Sequence, residues 1–418
     1  MSNGAIVGRD GATPLLVPGA PVVVTGADGF IGSALVRNLL ARGVDVTAMV
    51  EPGGPAPTLE GLDVRVAEAD LRDAAAVRRA VDGARVVFHV AALYRFWAPD
   101  PAAFYDVNVG GTRAVLEAAR QAGCERVVYT STVGTIGVHG ARRDRPADET
   151  SYPTVDHLFG AYKQSKYVAE HEVLRAAAEG APVVLVQPTT PVGPRDAGPT
   201  PTGRTVLDFL DGRLPGTVDT TLNIVAVDDV AEGHVLAAER GRTGRSYILG
   251  GENLSMAEVV AHLAAATGLP RPTWRVPRSL AVAAGRVSEL VEGRLLGRAP
   301  RVPLEGALMA TTHMAFDDGR ARAELGYRSR PAPDALAEAA RWFVEAGRVR
   351  PERVAAMRPA WADAPVGDDA TSSGTTSAGG AAPVSRAGHV RVPGRPGTLA
   401  WNRHRQAFGA GEEQPWRS

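Results

Sequence analysis

The strongest constraint on this chain is a glycine triplet spaced by threes, Gly26, Gly29 and Gly32, placed directly after the apolar run 22–25. Glycine permits a tight turn and lets the backbone approach a ligand where any side chain would intrude. A helical pattern over 32–41 follows, so the free N–H groups and positive dipole end of a helix would face whatever sits against the turn. A bare triplet is a weak signal, with an ordinary turn as the alternative. After the first strand of a β-α-β unit it predicts a cradle for the pyrophosphate of a dinucleotide, with Phe30 and Ile31 inside it.

The rest of the chain supplies such units. β-Branched runs at 44–50, 64–69, 86–90, 126–130 and 183–187 alternate with helical patterns at 74–81, 112–122 and 162–179. This alternation predicts an α/β fold, a Rossmann-type doubly wound parallel sheet over residues 21–190. Pro and Gly cluster over 188–215. Strands at 222–227 and 246–249 and helices at 230–239 and 256–267 then predict a smaller substrate-binding lobe over 191–346, with some elements returning to the sheet. Residues 1–20 read as a loose segment. Residues 347–418 read as a disordered tail, of low complexity over 370–383.

At 44% hydrophobic and 22% charged residues the composition is that of a globular protein. Zero net charge argues against a nucleic-acid partner. The single cysteine, Cys124, excludes an intrachain disulfide or cysteine-based metal site and reads as a plain buried thiol. No apolar run of about 18 residues predicts a membrane span. No signal-peptide pattern opens the chain, so a cytoplasmic location is expected.

The second strand ends at Glu51, where a dinucleotide's adenosine ribose should lie. An acid there accepts from the ribose hydroxyls and repels a 2′-phosphate, which favours NAD over NADP. No Arg stands within the next ten residues. Asp70, ending the third strand, is placed to accept from the adenine amino group, with Leu71 lining that pocket.

Forty-six basic residues include only two lysines, Lys163 and Lys166. Where Arg can serve, Arg is used, so a remaining Lys marks a position suited to a compact, tunable cation. Tyr162 and Lys166 are four apart and share a helix face. Bringing a phenol from about 10 to about 7 takes about 4 kcal/mol, which a close ammonium helps supply. The phenol would then exchange a proton with a substrate hydroxyl or carbonyl as hydride passes to or from a nicotinamide. A hydroxyl at the end of the fifth strand, Thr132 or Ser131, would bind the same oxygen. Lys163 has no derivable role and reads as a solvated neighbour.

Together the motifs resemble the extended short-chain dehydrogenases/reductases of the NAD-dependent epimerase/dehydratase type, over about residues 21–346. The resemblance rests on the glycine turn, Asp70-Leu71-Arg72-Asp73, His89-Val90-Ala91-Ala92, Asn108-Val109-x-Gly111-Thr112, Thr130-Ser131-Thr132, Tyr162-x-x-x-Lys166 and Val227-Asp228-Asp229-Val230-Ala231. Through Tyr94-Arg95-Phe96-Trp97-Ala98 and Pro194-Arg195-Asp196, the chain is most similar to the dihydroflavonol-4-reductase-like branch. Within it, the proteins called hopanoid-associated sugar epimerases are closest. The resemblance implies NAD or NADP as cofactor, with Ala91, Ala92 and Pro188 beside it. Tyr162, Lys166 and Thr132 (with Ser131) would form the catalytic set, Asn108 would support the site from behind, and helices 112–122 and 162–179 would pair in a homodimer.

Departures narrow the reading. The family's dehydratases carry an Asp-Glu pair after the catalytic Thr, where this chain has Val133-Gly134. Its nucleotide-sugar epimerases usually carry an Asn after the sixth strand, where Thr190 stands here, although Arg195 or Arg204 could hold a diphosphate. Reductases of the branch usually carry Arg where this chain has Glu51. Tyr94, Phe96 and Trp97 either line an apolar substrate pocket or pack as core; His139 and His157 read as surface residues. The expected activity is an NAD(P)-dependent oxidoreductase acting on a secondary alcohol or ketone, a small-molecule substrate. A sugar epimerase is the alternative, and a non-catalytic dinucleotide sensor is the remote one.

Overall fold

In the computed structural model, which describes residues 14–154 and 158–362, β1 (Pro21–Thr25), α1 (Phe30–Leu40), β2 (Asp45–Val50), β3 (Arg65–Glu68), α2 (Ala74–Val81) and β4 (Val86–His89) form the first half of the sheet. α3 (Ala102–Tyr105), a wide π turn at 106–110, α4 (Gly111–Gln121), β5 (Arg126–Thr130), α5 (Ala161–Ala178) and β6 (Val183–Pro188) form the second half. β7 (Thr190–Val192), α6 (Pro201–Leu210), β8 (Thr217–Val218), β9 (Thr221–Ala226), α7 (Val227–Arg240) and β10 (Ser246–Leu249) follow. The chain continues through β11 (Glu252–Ser255), α8 (Met256–Thr267), β12 (Arg275–Val276), α9 (Arg278–Ser288), α10 (Leu304–Ala310), α11 (Gly319–Leu325), α12 (Ala332–Glu345) and α13 (Pro351–Ala356).

Seven strands make one parallel sheet in the order β10-β6-β5-β4-β1-β2-β3. Strands such as Val22–Val24 and Val86–Phe88 bury both of their faces. They therefore read as unbroken apolar runs, without the alternation of a half-exposed strand. One face packs on α1, α7 and α11 through Leu35, Val36, Val230 and Leu325; the other packs on α2, α4 and α5 through Val77, Val115 and Val173. Strand order reverses between β1 and β4. Crossovers there leave to opposite faces and open a crevice beyond the carboxyl ends of both strands. The remaining elements build a lobe, the three-stranded sheet β11-β9-β7 with α6, α8 and α12 packed around Phe209, Leu263 and Phe343. β10, from the second portion of the sequence, returns to the main sheet beside β6.

Both expected loose ends are shorter than the sequence suggested. Leu15 and Leu16 donate their backbone N–H groups to the Glu239 carboxylate at 3.0 and 2.7 Å, and Arg85 donates to the Pro14 and Leu15 carbonyls. Residues 14–20 are thus tied to α7 and to the start of β4 by two charges too distant in sequence to be paired by inspection. Past 347, Arg350 donates to Asp211, α13 forms, and Met357 is buried against the lobe core. Residues 1–13 and 363–418, with the rest of the expected tail, and His157 lie outside the described residues. Cys124 is buried, its thiol donating to the Ala84 carbonyl at 3.1 Å, as a packing residue.

Replacing Glu239 with Ala strands two N–H groups and frees the 14–20 segment. We expect a loss of about 1–2 kcal/mol of stability, read from a denaturant melt. An unchanged midpoint would show that the segment contributes nothing.

Candidate active site

The first turn after β1 has its shape because it carries no side chains. Gly26 adopts φ +63, and a Cβ there would lie 2.8 Å from Ala91 Cα. A Cβ on Gly32 would lie 2.0 Å from the Gly26 carbonyl oxygen, and one on Gly29 would lie 3.1 Å from it. The α1 N-terminus has neither a side-chain cap nor an acid in its first turn, so its N–H groups stay available. Beneath the turn, Thr25 Oγ1 contacts His89 Nδ1 at 2.9 Å and accepts from Ala91 N at 3.1 Å, and His89 Nε2 meets Thr112 Oγ1 at 3.1 Å. Burial pushes His89 down to about 3, so this link is uncharged.

A cleft of about 530 Å³ opens over this turn. Gly26, Gly29, Phe30, Ile31 and Gly32 line its floor, with Glu51, Asp70 and Leu71 at one end. Ala91, Ala92, Tyr94, Thr132, Tyr162, Lys166, Pro188 and Arg195 line the other. The glycine cradle, the open helix end and the acidic far rim fit a nicotinamide dinucleotide.

At the far end, where Asp70 is expected to accept from the adenine amino group, its carboxylate lines the cleft. Arg72 holds it through Nε and Nη2 at 3.0 and 2.6 Å, keeping the carboxyl below its usual range. Arg72 is also close enough to feel the Glu51 charge, so an Arg does reach this rim, from the third strand rather than the second. Two acids against one base leave the rim net negative.

At the inner end, Thr132 and Tyr162 line the cleft together, and the nearby Thr132 hydroxyl partly offsets the rise of the Tyr162 phenol. Lys166, one turn along α5, donates from Nζ to the Thr130 carbonyl at 2.7 Å and lies 4.5 Å from the Tyr129 ring centroid. Burial lowers its ammonium to about 7 against the opposing pull of Glu170. The sequence reading expected the ammonium to lower the phenol. Burial, followed by Tyr94, pushes Tyr162 well above its ordinary value, and Lys166 donates to the Thr130 carbonyl.

Ser131 also lines the cleft, but its hydroxyl is engaged elsewhere. Its hydroxyl donates to the buried Glu170 carboxylate, which also receives Thr135 Oγ1 at 2.8 Å and Gln187 Nε2 at 3.3 Å. Successive residues leaving a strand point to opposite sides, and Thr132 is the one turned to Tyr162. Asn108 does not line the cleft. It bridges Leu93 N at 2.8 Å and Ser165 Oγ at 2.9 Å, joining the loop after β4 to α5 just before Lys166. This is the supporting position.

The substrate-side candidates divide. Tyr94 lines the cleft with its ring centroid 5.0 Å from that of Tyr162. Phe96 and Trp97 do not line it; they lie against Gly306 and Gly293. Thr190 pairs with Ile224 in β7, while its neighbours Thr189 and Pro191 reach the cleft. Arg195 lies at the cleft with φ +71, its guanidinium 2.6 Å from Asp228.

Sequence reasoning missed Glu305 and misread Lys163. Lys163 is buried, with its ammonium 3.9 Å over the Phe159 ring. The Glu305 carboxylate fills the space a Cβ on Gly160 would take, and its Oε1 is buried without a hydrogen-bond partner. Burial raises Glu305 and lowers Lys163, each charge partly offsetting the other's shift. The partners are about 140 residues apart, and the only local sign was an acid in the apolar run 302–308.

The chain matches the model of the NAD dependent epimerase/dehydratase family over residues 22–250. It is 44% identical over 331 residues to a Synechocystis protein provisionally named dihydroflavonol 4-reductase, covering 78% of this chain and 95% of that one. It is 35% identical over 330 residues to sterol demethylase protein B of Methylococcus capsulatus, covering 78% and 99%. Among solved structures it resembles the Streptomyces venezuelae dTDP-glucose 4,6-dehydratase DesIV, crystallised with NAD and TYD. That likeness has a TM-score of 0.62 at 25% identity and covers 79% of this chain and 99% of that one.

Gly32→Ala should weaken NADH binding by about tenfold or more while a cooperative thermal transition persists. Calorimetric titration reads this, and normal binding by the variant would remove the cradle assignment.

Proposed function

Because the chain belongs to the NAD dependent epimerase/dehydratase family, a family of enzymes, we propose that it is an NAD-dependent oxidoreductase interconverting an apolar secondary alcohol and its ketone. The observation that carries this reading is the Tyr162–Thr132 hydroxyl pair at the inner end of the cleft, with Lys166 one turn along the same helix. Three further features favour net oxidoreduction. Val133 and Gly134 stand where a dehydratase needs its carboxylates. Arg195, the candidate for a sugar diphosphate, is paired with Asp228. The wall beside Tyr162 is aromatic, from Tyr94. One relative is named for sterols and another for a dihydroflavonol, both polycyclic alcohols.

NAD, when bound, supplies or accepts the hydride at its nicotinamide ring. The protein's own part is proton movement and orientation. Tyr162 Oη keeps its proton through neutral pH, so it donates to the ketone oxygen in reduction and recovers a proton in alcohol oxidation. A group whose pKa is raised acts as an acid below that value, so reduction holds its rate through neutrality while oxidation gains as pH rises. Thr132 Oγ1 fixes the same substrate oxygen. Lys166, anchored by the Thr130 carbonyl, brings its charge and donors to the ribose side of the site. Asn108 keeps the loop after β4 in register with α5. The same reading carries a homodimer through α4 and α5.

Tyr162→Phe should lower turnover by about 10²–10⁴-fold with NADH affinity nearly unchanged. Full activity in that variant would overturn the assignment. So would a wild type that isomerises sugar nucleotides without net consumption of NADH, measured by absorbance. Glu51→Arg should shift preference toward NADPH by about tenfold. Tighter NADPH than NADH binding by the wild type would defeat the argument from the acidic rim.

A further inference from the structure

The segment 274–302 carries a surface that the reaction does not use. Of the fourteen exposed large hydrophobic side chains among the described residues, eight lie in this segment. α9 runs on through a wide π turn, Glu289–Leu295, as one continuous helix. Along it Leu280, Val287, Val291 and Leu295 recur at intervals of seven, four and four, a single stripe, and are 48%, 61%, 41% and 73% exposed. The opposite side touches the protein. Gly285, the one buried residue of this helix, packs on Leu304 and Ala307, and Gly293 lies beside Trp97. A helix covering a core turns its apolar stripe inward; this one rests on its glycines and turns the stripe outward.

Charge accompanies the stripe. Six arginines in the segment, Arg275, Arg278, Arg286, Arg294, Arg298 and Arg301, are exposed. Of the two acids, Glu289 accepts from Leu304 N, and Glu292 accepts from Ser288 Oγ and Arg301 N and pairs with the Arg301 guanidinium at 3.2 Å. Six positive less two negative leaves +4 on this face.

We propose that the outward face of 274–302 is a membrane-docking surface that seats on an anionic lipid bilayer. Acyl chains receive the leucines and valines, and acidic headgroups receive the arginines, the pairing that holds interfacial helices in the headgroup layer. A second copy of the chain is the poorer occupant, because a twofold contact would set +4 against +4. The surface adjoins the cleft: Trp97 lies against Gly293 and Phe96 against Gly306, and the Phe96 and Tyr94 rings are 6.1 Å apart. Docking would therefore set the aromatic wall of the cleft next to the bilayer. The proposal does not rest on the reaction assigned above, and its test needs no substrate.

The full chain is floated with phosphatidylcholine vesicles and with vesicles containing about 30% phosphatidylglycerol. It should rise with the anionic vesicles, less so at high salt, and stay down with the neutral ones. Leu290→Glu with Leu295→Glu should cut flotation about tenfold without lowering the melting temperature. Arg294→Gln with Arg298→Gln should weaken the preference for anionic lipid. Absence of flotation, or flotation undiminished in both variants, overturns the proposal. So does a wild-type dimer, seen by light scattering, that the Leu-to-Glu variant splits, since the face would then belong to a second copy.

Discussion

Gly26 and Ala91 bring two backbone segments together where a Cβ on Gly26 would stand 2.8 Å from its neighbour. Much of the site follows from that approach. It lets the loop after β4 sit beside the turn after β1, which sets both walls of the crevice. Thr25, His89 and Thr112 hold the approach from below, and the neutral imidazole keeps the link free of a buried charge. Asn108 then carries the position of the same loop across to α5, one residue before Lys166. The glycine turn and α5 are thus fastened to each other through uncharged hydrogen bonds, which keep their strength in a dry interior.

The sheet and its helices were legible because burial on both faces writes long apolar runs and because helical periods are local. The observed bounds 74–81, 126–130, 246–249 and 256–267 coincide with those patterns. The cradle was legible for a different reason, since only glycine can occupy its positions. Choosing between Ser131 and Thr132 needed the direction in which the chain leaves β5, which strand alternation could have supplied. Lys163 could not be read, because its burial is created by α10, far along the chain. The same holds for Glu239 beneath the N-terminal segment. Charges that pair over long sequence distances leave no periodic trace.

Phe96 and Trp97 show a related limit. Aromatic residues beside a site suggest a pocket, yet these two are seats for Gly306 and Gly293 on the 289–310 segment. Small residues meet large ones there, and only Tyr94 of the three is left facing the cleft.

The two lysines carry a practical consequence. Both are buried, at 6% and 2% exposure, and the sequence has no others. The folded protein therefore presents no accessible side-chain amine. Reagents that acylate or cross-link lysines have no side-chain target on its outer surface, and slow labelling of Lys163 would report opening of α5 rather than the state of the surface.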